Sequence, residues 1–128
     1  MLFRSYVFFN SPVHGIGCKA VEFIKKGDIV AEEPYFIFSN NIQRCAHPIF
    51  GNYYWLIKGK CLIINGLGNY CNHSDNNNIE PIHDLDKPFI CFKALKDIQI
   101  GDELFNNYGT KYWESRKNKK NKVSFFRF

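Results

Sequence analysis

Two polar segments constrain this chain more than any other feature. One reads GDELFNNYG (Gly101–Gly109) and the other reads CNHSDNNNIE (Cys71–Glu80). In both, side chains with hydrogen-bonding tips stand among apolar residues, namely Asn72, His73, Asn106, Asn107 and Tyr108. Because buried polar groups cost free energy unless they are paired, such clusters usually mark a site.

A glycine pair near the N-terminus adds a third segment, HGIGCKA (His14–Ala20). Two glycines that flank one apolar residue let a backbone approach a ligand without a Cβ clash. Taken alone, the pair is equally typical of a tight turn or a bulge between strands. It is not a dinucleotide fingerprint, since no third glycine and no helix follow.

The composition indicates one folded domain. The chain has 128 residues, of which 45% are hydrophobic and 17% aromatic, which excludes a disordered chain. No apolar run approaches the ~20 residues that span a bilayer. The first residues, MLFRSYVFF, are too short an apolar run for a signal peptide, and we expect a buried edge strand there.

Short runs of aromatic and β-branched residues predict a mostly β fold of small sheets with few short helices. Turn residues at Lys26–Asp28, Glu33-Pro34 and Ile100–Asp102 separate these runs, and a short helix is conceivable at Pro48–Ile57. The predicted strands are Tyr6–Phe9, Ile16–Ala20, Ile29–Glu32, Tyr35–Phe38, Cys61–Asn65, Ile79–Ile82 and Pro88–Lys93.

The five cysteines are scattered singly, without the paired spacing of zinc ligands. We therefore expect reduced, buried thiols in a reducing compartment, and no metal. They are Cys18, Cys45, Cys61, Cys71 and Cys91.

The three segments, in this order, resemble the SET-domain protein lysine methyltransferases, most closely the compact viral-type members. HGIG is similar to the family's GxG motif, and Asn72-His73-Ser74 matches its NHS without alteration. ELFNNYG resembles ELTxDYG, with Phe105 for Thr and Asn107 for Asp. Asp75 stands where many members have a cysteine. The resemblance implies several small curved sheets with a C-terminal pseudoknot, a SET domain over residues 1–116 and a basic, aromatic tail over residues 117–128.

The resemblance also implies roles for individual residues, with S-adenosylmethionine as cofactor. The expected cofactor-binding residues are His14, Gly15, Ile16, Gly17, Asn69, Asn72, His73, Tyr112 and Trp113. The expected catalytic residues are Tyr108 and Tyr53, since Asn52-Tyr53-Tyr54-Trp55 resembles the family's SYLF. The expected substrate-binding residues are Tyr53, Asn106, Tyr108 and Tyr112. For any one aromatic residue, plain core packing is the alternative.

The chemistry of methyl transfer to lysine explains these residue types. Lysine has an ordinary pKa near ~10.4, so neutralising its amine at pH 7 costs roughly 4–5 kcal/mol. A dry aromatic channel and a nearby sulfonium both disfavour the ammonium, so no general base is strictly required. Asn106 stands two residues before Tyr108, where relatives control product degree. Because asparagine leaves room, we expect at least a dimethyl product.

The net charge of +5 lies largely in the tail, with the run KNKKNK at Lys117–Lys122. The run is typical of a solvated terminus, and alternatively of a nuclear-import signal or a weak DNA contact. We expect a protein substrate with a lysine-containing segment, such as a histone tail, and an intracellular location, with the nucleus as one option. Acids that could attract a basic tail are Glu32, Glu33, Glu80, Asp84 and Asp86.

Three functions remain open from the sequence. The favoured one is a lysine N-methyltransferase. The second is a catalytically inactive SET-fold module that binds a basic peptide or chromatin, prompted by Phe105-Asn106-Asn107. The third is a small basic nucleic-acid binder with stacking aromatics. No membrane contact is expected, and the oligomeric state is left open.

Overall fold

A computed structural model of the chain describes residues 3–39 and 54–109. Its elements are β1 (Tyr6–Asn10), β2 (Ile16–Ala20), β3 (Ile29–Ser39), β4 (Tyr54–Ile57), β5 (Lys60–Ile64), α1 (Leu67–Tyr70), β6 (Asn72–His73), β7 (Ile79–Pro81), β8 (Phe89–Ala94) and β9 (Phe105–Asn106). They form a β1-β2 sheet, a five-stranded sheet in the order β4-β5-β3-β8-β7, and a β6-β9 pair. The predicted mostly β fold of small sheets is confirmed.

The long strand β3 corrects the prediction of two strands with a turn at Glu33-Pro34. Ile29–Pro34 pairs with β8 on one side, and Tyr35–Ser39 pairs with β5 on the other. Pro34, which has no N–H to donate, therefore lies where the strand changes partner, and a proline costs little at such a point. The change of partner staggers the sheet.

The β4-β5 hairpin shows that the helix prediction for Pro48–Ile57 is wrong over Tyr54–Ile57, and the rest of that range lies outside the described residues. The strands pair antiparallel from Tyr54↔Ile63 to Ile57↔Lys60. Lys58 (φ 51°) and Gly59 (φ 76°) make the turn between them. Two successive positive φ values are typical of tight hairpin turns, whose twist matches that of the strands.

The strand β1 is an edge strand, as expected, but most of it is not buried. It pairs only with β2 among the described strands, and of its five residues only Tyr6 is buried. The expectation of a buried edge strand is therefore wrong for the residues after Tyr6.

The segment from Ile98 to Leu104 runs antiparallel to residues 18–24 and carries the chain into the site. Its backbone hydrogen bonds include Ile24 N–H to Ile98 O (2.9 Å) and Leu104 N–H to Cys18 O (2.8 Å). Leu104 and Cys18 are fully buried in the core, together with side chains from β5, β8 and α1. This packing fixes the positions of Glu103 and of the strand β9, which lie on either side of Leu104.

The cysteines depart from the expectation in two places. Cys18 and Cys71 are buried, as expected, whereas Cys91 is only half-buried. Cys61 is disulfide-bonded, so the expectation of reduced thiols is wrong for Cys61.

Candidate active site

A parallel strand pair forms the centre of the site. In it, β6 places Asn72 opposite Phe105 and His73 opposite Asn106. The backbone N–H of Ser74 continues the pairing to Asn106 O at 3.0 Å. Asn72 and Asn106 are buried, each 3% exposed, whereas His73 and Tyr108 are half-buried and Asn107 is exposed.

Asn78 closes the chain around β9. Its Nδ2 donates to Glu103 O (2.9 Å), its Oδ1 accepts from the N–H of Phe105 (2.7 Å), and its own N–H donates to Phe105 O (3.1 Å). Asn78 thus makes three hydrogen bonds to the backbone of residues 103–105, which are the kind of bonds that a neighbouring strand would make. Residues 72–78 wrap around residues 103–106 as the predicted pseudoknot requires. In the sequence Asn78 is only the last of three consecutive asparagines, and their spacing does not indicate these contacts.

Glu103 joins the pseudoknot to the glycine segment. Both of its carboxylate oxygens accept from Ser11 Oγ (2.8 and 3.0 Å), and Oε2 also accepts from Asn72 Nδ2 (2.9 Å). Asn72 Nδ2 further donates to His14 O at 2.9 Å. The sequence analysis missed Glu103 and Ser11, because an acid in a GDEL turn resembles an ordinary surface residue.

Gly17 is required by this network. A Cβ built on Gly17 would lie 2.6 Å from Glu103 Oε2 and 3.1 Å from Asn72 Nδ2. Gly15, by contrast, is needed for its backbone, whose φ is 50°. The two glycines thus serve different ends, one a close approach of side chains and the other a left-handed turn.

His73 and Tyr108 form the other half of the site. Nδ1 of His73 accepts the backbone N–H of Tyr108 at 3.0 Å, and Nε2 lies 2.8 Å from Asp75 Oδ1. The Tyr108 hydroxyl donates to Cys71 O at 2.7 Å, and its ring centroid lies 5.1 Å from that of His73. Tyr108 is therefore held both by its backbone N–H and by its hydroxyl group.

The remaining predicted site residues divide into three groups. His14 and Ile16 lie on the glycine segment beside Asn72, through the contact with His14 O. Asn69 lies in α1, and its Oδ1 is the one described buried side-chain atom of nitrogen or oxygen without a hydrogen-bond partner. Tyr53, Tyr112 and Trp113 lie outside the described residues, as does the predicted tail, 117–128.

A second polar cluster lies at the start of α1. Glu33 is fully buried and accepts from Tyr6 Oη (2.5 Å), from Arg4 Nη2 (2.8 Å) and from the backbone N–H of Leu67. Burial raises the pKa of Glu33 above its usual range, against the opposing effect of these hydrogen bonds. Burial and the hydrogen bond to Glu33 both raise the pKa of Tyr6. Of the acids proposed to attract a basic tail, Glu33 is thus unavailable, since it is already paired.

The described ranges contain neither a candidate metal site nor a candidate membrane-spanning helix. Residues 3–39 and 54–109 contain no group of three or more His, Cys, Asp or Glu side chains that could hold a metal ion. They also contain no helix that is long and apolar enough to cross a membrane. That the protein folds without zinc stays a prediction. Unfolding of the protein by a metal chelator would contradict it.

Comparison with known proteins identifies the family. The SET domain model matches residues 15–109, about three quarters of the chain, and covers both polar segments. The chain belongs to the SET domain family. His14 and Ser11 lie just before the matched residues, yet both are hydrogen-bonded into the SET domain's polar network.

Solved structures agree with this assignment. A candidate histone methyltransferase of Plasmodium falciparum is 26% identical, with a TM-score of 0.71 over 87% of this chain and 98% of that chain. A humanized mutant of the Chaetomium thermophilum Polycomb Repressive Complex 2, bound to the inhibitor GSK126, is 29% identical, with a TM-score of 0.64 over 83% of this chain. The same organism's complex in an apo, autoinhibited state is 28% identical, with a TM-score of 0.62 over 89% of this chain.

The extent of these matches differs. This SET domain chain spans nearly all of the Plasmodium chain but only 15% and 17% of the two Polycomb chains. Among curated protein sequences, none matches this chain significantly. The shared part is thus the SET domain itself.

Proposed function

We propose that this chain is a protein lysine N-methyltransferase that transfers a methyl group from S-adenosylmethionine to a lysine side chain, with a histone tail as the favoured substrate. The observation that carries the proposal is the single polar network that joins the glycine segment, Asn72 and Glu103. His73 and Tyr108 adjoin this network through the β6-β9 pair. Solved relatives described as histone methyltransferases share this fold.

The described residues fit the cofactor. S-adenosylmethionine carries a positive sulfonium and an ammonium, and Glu103 supplies a carboxylate next to Asn72. The unpartnered Oδ1 of Asn69 needs a donor, because a buried acceptor without one costs free energy. We assign cofactor binding to His14, Gly15, Ile16, Gly17, Asn69, Asn72, His73, Tyr112 and Trp113, the last two on their sequence motif alone.

Tyr108 is the proposed catalytic residue, with Tyr53 assigned by motif. When bound, the cofactor supplies an electrophilic methyl group. The protein's part is to position the lysine amine and to keep water away, which are contributions of orientation and electrostatics. Because the Tyr108 hydroxyl donates a hydrogen bond to Cys71 O, the direction of the phenol is fixed. A phenol held in this way can accept a hydrogen bond from an amine.

The charge distribution permits a basic protein substrate. Residues 3–39 and 54–109 contain more Asp and Glu than Lys and Arg, whereas residues 110–128 contain seven Lys or Arg and one Glu. The net charge of +5 therefore does not describe the surface around the site. Without residues 110–128 the chain is close to neutral, so it does not repel a lysine-rich segment as a charge of +5 would. The compact viral-type subclass, an intracellular or nuclear location and a weak DNA contact of the tail are proposals from sequence only.

An inactive binding module is the second candidate, since Phe105 and Asn107 replace residues that are usual in the family. The geometry at Asn107 weighs against it. Asn107 Oδ1 accepts the N–H of Gly109 at 2.8 Å, a bond that an aspartate could make equally well. The substitution thus keeps the turn that follows Tyr108.

Calorimetric titration with S-adenosylmethionine tests the proposal. We expect the wild type to bind and Asn72→Ala to lose binding, because the variant removes a buried polar partner of the glycine segment. Asn76→Ala is the matched control, since Asn76 is exposed and contacts Lys96 at the surface. Unchanged affinity in Asn72→Ala would remove the site assignment.

A further inference from the structure

Glu103 stands at a junction of three segments that are distant in sequence. It contacts Ser11, 92 residues away, and Asn72, 31 residues away. Its backbone is fixed independently, because Lys19 and Glu103 form a β-bridge and Asn78 Nδ2 donates to Glu103 O. The side chain is therefore delivered to Asn72 by a rigid backbone.

The two acceptors around Asn72 determine which way its amide points. Nδ2 donates to both His14 O and Glu103 Oε2, each at 2.9 Å. An amide has two N–H groups on one side and a carbonyl oxygen on the other. If the amide were reversed, its oxygen would face a carbonyl and a carboxylate, which is repulsive. The observed orientation uses both N–H groups and leaves Oδ1 as the group with which Asn72 can accept a donor.

We propose that Glu103 is a positioning residue that orients the Asn72 amide so that Oδ1 accepts the ammonium at the amino-acid end of the cofactor. The carboxylate also places a negative charge close to that ammonium, which favours it electrostatically. Glu103 thereby selects a ligand with an amino group over the same ligand without one. This inference rests on the proposed function, because it names the chemistry of one end of that cofactor.

The close packing around Gly17 leaves the Glu103 carboxylate and the Asn72 amide little room to move. Because a Cβ there would meet Glu103 Oε2, Asn72 Nδ2 and Ser11 Cβ within 3.1 Å, the carboxylate is packed against β2 without spare room. Interiors packed this closely have few alternative side-chain positions. The orientation of Asn72 is thus a property of the folded network.

The test compares two ligands in the full chain, S-adenosylhomocysteine and its α-keto analogue, in which a keto group replaces the amino group. We expect the wild type to prefer the amine at least tenfold by calorimetry. Glu103→Ala should lose most of this preference, with affinity for the keto analogue changed less than threefold. Glu103→Gln should retain part of it, because the glutamine oxygen can accept from Asn72 although the negative charge is lost.

Each outcome decides the matter. Equal loss of both ligands in Glu103→Ala, with the preference intact, shows a merely structural role and overturns the inference. An unchanged preference overturns it as well, as does a wild type that binds both ligands equally. If Glu103→Ala does not fold, Ser11→Ala releases the carboxylate from its other partner and should lower the preference at least threefold, and no change would count against the proposal. A wild type that binds neither ligand overturns the proposed function itself, which separates the two failures.

Discussion

The backbone N–H of Tyr108 donates a hydrogen bond to Nδ1 of His73 across 3.0 Å, although 35 residues separate them in sequence. A ring nitrogen that accepts carries no proton, so the neutral His73 holds its proton on Nε2, facing Asp75 Oδ1 at 2.8 Å. The histidine of the NHS motif therefore acts on the tyrosine through its main chain. Asp75, which replaces the family's frequent cysteine, supports the tautomer that allows this.

We expect His73→Ala to lower kcat by about tenfold and stability by about 1 kcal/mol, the usual net contribution of one hydrogen bond. The reason is that Tyr108 loses the acceptor that holds its backbone. His73→Asn should recover much of the loss, since its side-chain oxygen can accept the same N–H. Steady-state kinetics and urea unfolding measure both effects. If Asn restores no more than Ala does, the hydrogen bond is not what matters at this position.

Tyr108→Phe should leave the fold intact and reduce turnover by roughly 2–4 kcal/mol, the scale for losing one preorganised polar group. It removes the hydroxyl that donates to Cys71 O but keeps the ring that packs on His73. Tyr35→Phe is the matched control, because the Tyr35 hydroxyl donates to Lys87 O at 2.9 Å, away from the site. Full activity in Tyr108→Phe would refute its catalytic role.

Glu33 predicts a pH dependence of stability. Its pKa is raised in the folded state, so the folded protein binds more protons than the unfolded chain above the ordinary value of 4.5. Stability from this group is therefore greatest below that value and falls as pH rises towards the raised pKa. Glu33→Gln should flatten this fall, and urea unfolding of both proteins over a pH series that starts below 4.5 measures the difference.

Removing the carboxylate entirely should be costly. Glu33→Ala leaves the buried Tyr6 hydroxyl without its acceptor, and a buried polar group left unsatisfied costs roughly 1–3 kcal/mol. The half-exposed Arg4 adds less, because water can solvate it. Glu80→Ala, which breaks the surface pair with Lys93 (3.4 Å), should cost under about 1 kcal/mol. Similar losses for the two variants would contradict the burial argument.

Asn106 predicts the product. It lies buried in β9 opposite His73, and the small side chain of an asparagine leaves room for a methylated amine. We expect at least dimethyl-lysine in an extended reaction followed by mass spectrometry, because an ordered water that fills the space costs at most ~2 kcal/mol to organise. If the reaction stops at monomethyl-lysine, the volume argument is wrong, and Asn106→Phe then tests whether asparagine causes the block.

The sequence was sufficient where local pattern and tertiary structure agree. The strand β2 and the β7-β8 pair have alternating apolar residues bounded by turns, and they lie where predicted. Pro34 misled the prediction, because a turn signal is local whereas the change of strand partner is not. Trp55 was assigned to a helix although β5 pairs with it.

The site was predictable only as far as its motifs extend. Asn72, His73 and Tyr108 stand in recognisable segments, and the structure brings them together. Glu103 and Asn78 act through contacts with distant backbone and side-chain atoms. No periodicity or spacing encodes such contacts, so they were visible only in the folded chain.

Methyl transfer itself tests the central claim most directly. The full chain is incubated with methyl-labelled S-adenosylmethionine and recombinant histones, and tandem mass spectrometry locates the label. We predict labelled methyl groups on lysine Nζ atoms, strongly reduced with Tyr108→Phe and unchanged with Tyr35→Phe. Binding of the cofactor without any labelled lysine, on histones or on proteins of a cell extract, would contradict the account and favour an inactive binding module.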